Sequence, residues 1–155
     1  MEDLSLHILD IVENSLRSQA RLVEILVTED PGRDLLTLEI RDDGKGMDPE
    51  ECARATDPFF TTKPGRRVGL GLALVAQAAR EAGGEFTVSS AADVGTTVRA
   101  TFRWGHPDRR PLGDISATLE ALVAGNPGVD FVCEQRRGAD VIRFDTREVR
   151  RRWRT

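Results

Sequence analysis

Lysine is nearly absent from this chain of 155 residues: arginine carries the positive charge everywhere except at Lys45 and Lys63. Cysteine is almost as scarce. Cys52 and Cys133 stand apart and match no metal-ligand spacing, so they read as reduced thiols of a cytosolic protein, with a bridge left open on sequence alone. The longest apolar stretch, Val68 to Ala79, is too short to cross a bilayer, so no membrane segment is expected. Glu2 and Asp3 stand where a signal peptide would have basic residues, and a cytoplasmic location is expected. Gly-Lys-Ser/Thr is missing, which excludes a Walker A phosphate loop. The net charge of −4 argues against a general nucleic-acid binder. Residues 1–103 hold 12 basic and 18 acidic side chains, net −6; residues 104–155 hold 10 and 8, net +2. The basic cluster of Arg147, Arg150, Arg151, Arg152 and Arg154 reads as a solvated helical tail, with a docking surface as the sharper alternative.

What is present is a regular alternation of periods. Leu4, Ile8, Ile11 and Val12 recur at helical spacing, predicting an amphipathic helix from about residue 4 to 19. Val23 to Thr28 and Leu35 to Arg41 read as strands joined by the turn Asp30-Pro31-Gly32. Asp48-Pro49-Glu50-Glu51 is a helix start, and Ala55 to Val68 a loop. A second long helix, Leu70 to Ala82, stops at Gly83-Gly84. Strands Phe86 to Ser90 and Thr96 to Arg103 follow around Gly95. Beyond a linker, Trp104 to Gly113, come a helix from Ile115 to Ala124 and a hairpin. Its strands lie near Val129–Glu134 and Val141–Phe144, with a turn at Arg137-Gly138, and Thr146 caps a final short helix. These elements predict an α+β sandwich, a mixed sheet with helices on one face. The expected division is residues 1–104 as one domain and 105–155 as an extension of unassigned role.

Several short motifs sit in this frame. Asp10, Asn14 and Arg17 are spaced by four and three residues, so they share a helix face, joined one turn earlier by His7. An Asn in mid-helix is unfavourable unless its amide has a use. Asp42, Gly44, Gly46 and Met47 form Asp-x-Gly-x-Gly-Met after a strand. The loop Asp57-Pro58-Phe59-Phe60-Thr61-Thr62-Lys63 pairs two aromatics with one of the two lysines. A hydrophobic loop anchor would explain the aromatics, whereas a flexible ammonium suits a phosphate. Gly69-Leu70-Gly71-Leu72 opens a helix, where free N–H groups and the helix dipole favour an anion.

Taken together and in this order, the motifs resemble those of the GHKL, or Bergerat-fold, ATP-binding domain shared by histidine kinases, DNA gyrase and MutL. The resemblance covers residues from about 4 to 103. It implies ATP and magnesium as ligands. By the resemblance Asn14 holds the magnesium, Asp10 polarises the attacking water, and Arg17 makes a weaker phosphate contact. Asp42 accepts the adenine amino group, Gly44, Gly46 and Met47 form the pocket, and Thr96 supports Asp42. Phe60, Thr61, Thr62 and Lys63 belong to an ATP lid, expected to be mobile without nucleotide and ordered with it. Gly69, Leu70, Gly71 and Leu72 receive phosphate. Two departures stand out. Position 10 is Asp where gyrase and MutL carry Glu, and Arg67 replaces a glycine common in histidine kinases.

The resemblance further implies a regulatory protein of the histidine-kinase or anti-sigma type, a protein kinase or slow ATPase with a protein partner that is either regulator or phosphoacceptor. A trans-acting catalytic piece of a histidine kinase and a non-catalytic nucleotide-responsive adaptor are the alternatives. Neither His7 nor His106 has the setting of a phosphoacceptor. Membrane and nucleic acid are not expected as partners, and a homodimer is compatible with everything above.

Overall fold

Leu4, Ile8 and Ile11 bury one stripe of the first helix, and alternate residues of four strands bury the sheet surface beneath it. The computed structural model describes residues 4–55, 70–106 and 112–153. In chain order the elements are helix α1 (Leu4–Arg17), strand β1 (Leu22–Asp30), a short 3-10 turn (Pro31–Arg33), β2 (Leu35–Asp42), α2 (Pro49–Ala55), α3 (Leu70–Glu81), β3 (Phe86–Ala91), β4 (Gly95–Arg103), α4 (Ile115–Gly125), β5 (Asp130–Arg137), β6 (Asp140–Asp145) and α5 (Thr146–Trp153). The lid sequence, with Phe60, Thr61, Thr62, Lys63 and Gly69, lies outside the described residues.

The six strands form one sheet in the order β3-β4-β2-β1-β5-β6. All neighbours run antiparallel except β1 and β5, so the sheet is mixed, as expected. Val23, Ile25 and Val27 of β1 share a face with Leu36, Leu38 and Ile40 of β2, and this face is buried. Helix α1 lies between α3 and α4 over that face, giving a two-layer α+β sandwich.

The ends of the elements follow local chemistry. Asp48 accepts from the Glu51 N–H at 2.8 Å, a capping box that starts α2. After α3, Gly83 turns to φ +74° and the Gly84 N–H returns to the Ala79 carbonyl at 2.8 Å, closing the helix. The first helix is shorter than expected, ending at Arg17, because Gln19 takes φ +62° and the chain turns toward β1.

Residues after 112 join the same core. Strand β5 pairs in parallel with β1, placing Phe131 beside Val23 and Cys133 beside Ile25. Ile115 and Leu122 of α4 are buried with them. Both cysteines are free, and burial pushes the Cys133 thiol up to about 11, so it packs as an inert small apolar group.

At the far edge, the turn from β6 into α5 is held by charge. Arg147 donates to both oxygens of Asp145, at 3.0 and 2.9 Å, and its N–H adds a third bond at 2.9 Å. These hydrogen bonds hold the Asp145 carboxyl down to about 2. A carboxyl lowered on folding stabilises the fold above its ordinary value of about 4 and loses that contribution as pH falls toward 2. Asp145→Asn should therefore cost about 1–2 kcal/mol near neutral pH, a figure trimmed because Arg147 is partly solvated. The difference between variant and parent in urea melts should shrink steadily below pH 4 and be mostly lost as pH falls through about 2.

Candidate nucleotide site

The apolar face of the sheet ends in a polar row. Register places Val23 of β1 opposite Asp42 of β2, Asp42 opposite Thr96 of β4, and Thr96 opposite Ser90 of β3. Opposed residues share a face, and Val23 lies in the core, so Asp42, Thr96 and Ser90 face the helical layer. Three polar side chains in that position need partners. Ser15 of α1 supplies the first, donating to Asp42 Oδ2 at 2.7 Å, while the Gly44 N–H donates to Asp42 Oδ1 at 2.9 Å. A carboxylate can accept about four hydrogen bonds, so each Asp42 oxygen keeps acceptor capacity for an incoming donor.

The loop after Asp42 is fixed on both sides by backbone. Asp43 accepts from the Arg21 and Leu22 N–H groups at 2.8 and 2.9 Å, and the Lys45 N–H reaches the Ser18 carbonyl at 2.8 Å. Gly46 has φ +69°, and a Cβ there would sit 2.0 Å from the Ala91 carbonyl oxygen. The Met47 N–H donates to Ser90 Oγ at 2.7 Å. Met47 is thus carried at the mouth of the row, half-buried.

The expected support of Asp42 by Thr96 is not a direct hydrogen bond in this structure. Thr96 stands beside Asp42 in the ladder, but its hydroxyl is bonded to Ser90 Oγ at 2.7 Å. The hydroxyl on the carboxylate is that of Ser15, which comes from the helix above the sheet. A sequence signal for Ser15 existed: it is the next position of the stripe Leu4, Ile8, Ile11, and a serine at a core position calls for a polar partner. Ser90 likewise continues the inward row of Phe86 and Val88. Ser15→Ala should leave the fold intact and weaken adenine-nucleotide binding roughly fivefold, the worth of one hydrogen bond near 1 kcal/mol, read by calorimetric titration.

On α1, Asp10 and Asn14 are half-buried and Arg17 is exposed, along one side of the helix. His7 does not share their access to solvent, being 3% exposed among core residues. The Asn14 carboxamide makes no hydrogen bond among the described residues. No cluster of three or more His, Cys, Asp or Glu that could hold a metal occurs among the described residues. A single amide oxygen fits magnesium, which keeps waters and phosphate oxygens as its other ligands. Leu70 and Gly71 form the first turn of α3, with only their backbone described. Leu72 is 1% exposed, its side chain in the core, so only its backbone N–H at the helix start is suited to an anion.

Comparisons with known proteins bear on the fold and the family. Residues 2–106 match the family model of histidine kinase-, DNA gyrase B- and HSP90-like ATPases. The histidine protein kinase DivJ of Caulobacter vibrioides is 33% identical over 95 residues, covering 59% of this chain and 16% of that protein. The histidine protein kinase SaeS of Staphylococcus epidermidis is 27% identical over 101 residues, 61% of this chain and 29% of that protein. The chain therefore spans under a third of the length of these relatives. Among solved structures, the Aquifex aeolicus MutL ATPase domain complexed with ADP is similar in fold, with a TM-score of 0.55 and 17% identity. The match covers 87% of this chain and 60% of the MutL chain. The chain belongs to the histidine kinase-, DNA gyrase B- and HSP90-like ATPase family, and carries its ATP-binding domain.

Proposed function

We propose that the chain is a magnesium-ATP-binding regulator of the histidine-kinase and anti-sigma type, acting on or with a partner protein as a kinase or slow ATPase. The observation that carries this reading is the Asp42 carboxylate, anchored by Ser15 and Gly44 with acceptor capacity left on both oxygens. The adenine amino group is a donor and fits that carboxylate. Asn14 is the residue that would hold magnesium, which when bound neutralises charge on the phosphate oxygens. The first turn of α3 offers N–H groups to the same phosphates.

In the proposed reaction, an oxygen of water or of a partner side chain forms a bond to the terminal phosphorus. The bond from that phosphorus to the bridging oxygen breaks, ADP leaves, and Asp10 takes the nucleophile's proton. Asp10 is one methylene shorter than glutamate, and misplacement by about 1 Å can cost roughly a hundredfold in rate. Turnover is accordingly slow. Asp10→Glu should hydrolyse ATP faster than the parent, and Asp10→Asn should bind ATP without turning it over. Terminally radiolabelled ATP, incubated with the chain alone and with candidate partners, separates the readings. Label on a partner supports a kinase, free phosphate a slow ATPase, and binding with neither supports an adaptor. Full activity in Asp10→Asn would remove Asp10 from the reaction.

A further inference from the structure

Strand β6 is built like an interior strand but lies at the edge. Among the described residues it is the outermost strand of the sheet, paired with β5 on one side only. Its ladder with β5 is regular, from Val132 opposite Asp145 to Arg137 opposite Asp140, with no bulge to turn the edge away. It holds no Pro and no Lys, the residues that ordinarily blunt an edge. Six large apolar side chains are exposed among the described residues, and four of them lie between positions 141 and 149. That concentration marks a contact surface rather than scattered exposure.

The exposure falls on both faces of the strand. Val141 is 50% exposed on one face, and Ile142 is 70% exposed on the other, where Phe144 also lies. Apolar residues on both faces are the pattern of a strand flanked on both sides. Beside Ile142 and Phe144, a cavity of about 480 Å³ opens between β6 and α4, with Leu119, Val123 and Cys133 in its lining. Helix α4 packs mainly on α1 and β5, and the cavity separates it from Ile142 and Phe144 of β6.

We propose that β6 is a self-association edge: two copies of this chain join β6 to β6, antiparallel about a two-fold axis, into one continuous sheet. The proposal is independent of the ATP site, and it rests on residues beyond the stretch matched by the family model. Charge selects the occupant. Asp145 is engaged by both Arg147 and Arg143, at 2.9 and 3.6 Å, so with Asp140 as its other acid the strand edge is close to neutral. A strongly acidic or basic strand would meet a like charge, whereas an identical strand is matched in net charge.

Geometry selects the register. In a two-fold antiparallel pair, opposed residues must lie on the same face, so the axis passes beside a single residue. An axis at Arg143 would set guanidinium against guanidinium, which is destabilising. An axis at Ile142 opposes Ile142 to its own copy, Val141 to Arg143, and Asp140 to Phe144, with no like charges facing. The structure thus points to Ile142 as the residue on the axis.

Sedimentation equilibrium on the full chain, up to about 100 μM, should show a dimer in the micromolar range. Ile142→Lys should weaken association at least tenfold while circular dichroism and the melting temperature hold. Ile142→Cys, in a Cys52→Ser background, should cross-link to its own copy on oxidation or with a short bis-maleimide, because residues opposed across strands lie close together. Arg143→Cys in the same background should cross-link at least tenfold more slowly. A parent chain that stays monomeric throughout would overturn the proposal. So would a dimer unchanged by Ile142→Lys in which Ile142→Cys does not cross-link.

Discussion

Asp42→Asn should bind magnesium-ATP roughly 30- to 150-fold more weakly than the parent, a loss of about 2–3 kcal/mol, while melting at nearly the same temperature. The adenine amino group can only donate. A carboxylate accepts from any direction, whereas the carboxamide offers one oxygen and an NH₂ that repels another donor. The Gly44 N–H and the Ser15 hydroxyl now both lie on the carboxylate, at 2.9 and 2.7 Å. In the variant, the amide oxygen can satisfy only one side of this arrangement and still face the purine. Because Asp42 is half-exposed, the fold loses little. Calorimetric titration gives the affinity and circular dichroism the fold. A folded variant with parental affinity would show that adenine is read elsewhere.

The second large effect belongs to Gly46, and it acts on folding. The resemblance assigns this glycine to the purine pocket. In the structure its first neighbour is the protein itself: with φ +69°, an added Cβ would meet the Ala91 carbonyl oxygen at 2.0 Å. A methyl group cannot occupy that space unless the loop after β2 parts from the end of β3. Gly46→Ala should cost about 3–5 kcal/mol, a large share of the stability of an ordinary domain, with or without nucleotide. Gly125, which has nothing within 4 Å of an added Cβ, is the control, and Gly125→Ala should melt like the parent. Were Gly46→Ala to melt normally and lose only ATP, the glycine would be serving the ligand rather than the chain.

Ser15 and Thr96 show what can and cannot be read from the sequence. The strands were legible because their periods are clean: Val23, Ile25 and Val27 alternate, and so do Leu36, Leu38 and Ile40. The glycine turns and the helix stop at Gly83-Gly84 were legible for a similar reason, since few residues take those conformations. The role proposed for Asp42 comes from the resemblance alone. Which hydroxyl bonds its carboxylate was not legible, because that depends on how α1 sits over the sheet, a distance of 27 positions in the chain. Thr96 is beside Asp42 in the ladder, yet Ser90 of β3 takes its hydroxyl. The place of β5 was equally hidden. A hairpin pattern gives its strands but not the parallel pairing of β5 with β1, which is a long-range choice made by Phe131 and Cys133 entering the core.

The central claim is that this chain recognises the adenine of ATP through an acceptor at Asp42. Calorimetric titration of the parent chain with magnesium-ATP and, separately, magnesium-GTP tests it most directly. Adenine presents an amino donor where guanine presents a carbonyl acceptor, and an acceptor facing a carboxylate is repelled. ATP should bind in the micromolar to millimolar range, with GTP at least tenfold weaker. Equal affinity for the two nucleotides, or no heat with ATP, would contradict the account.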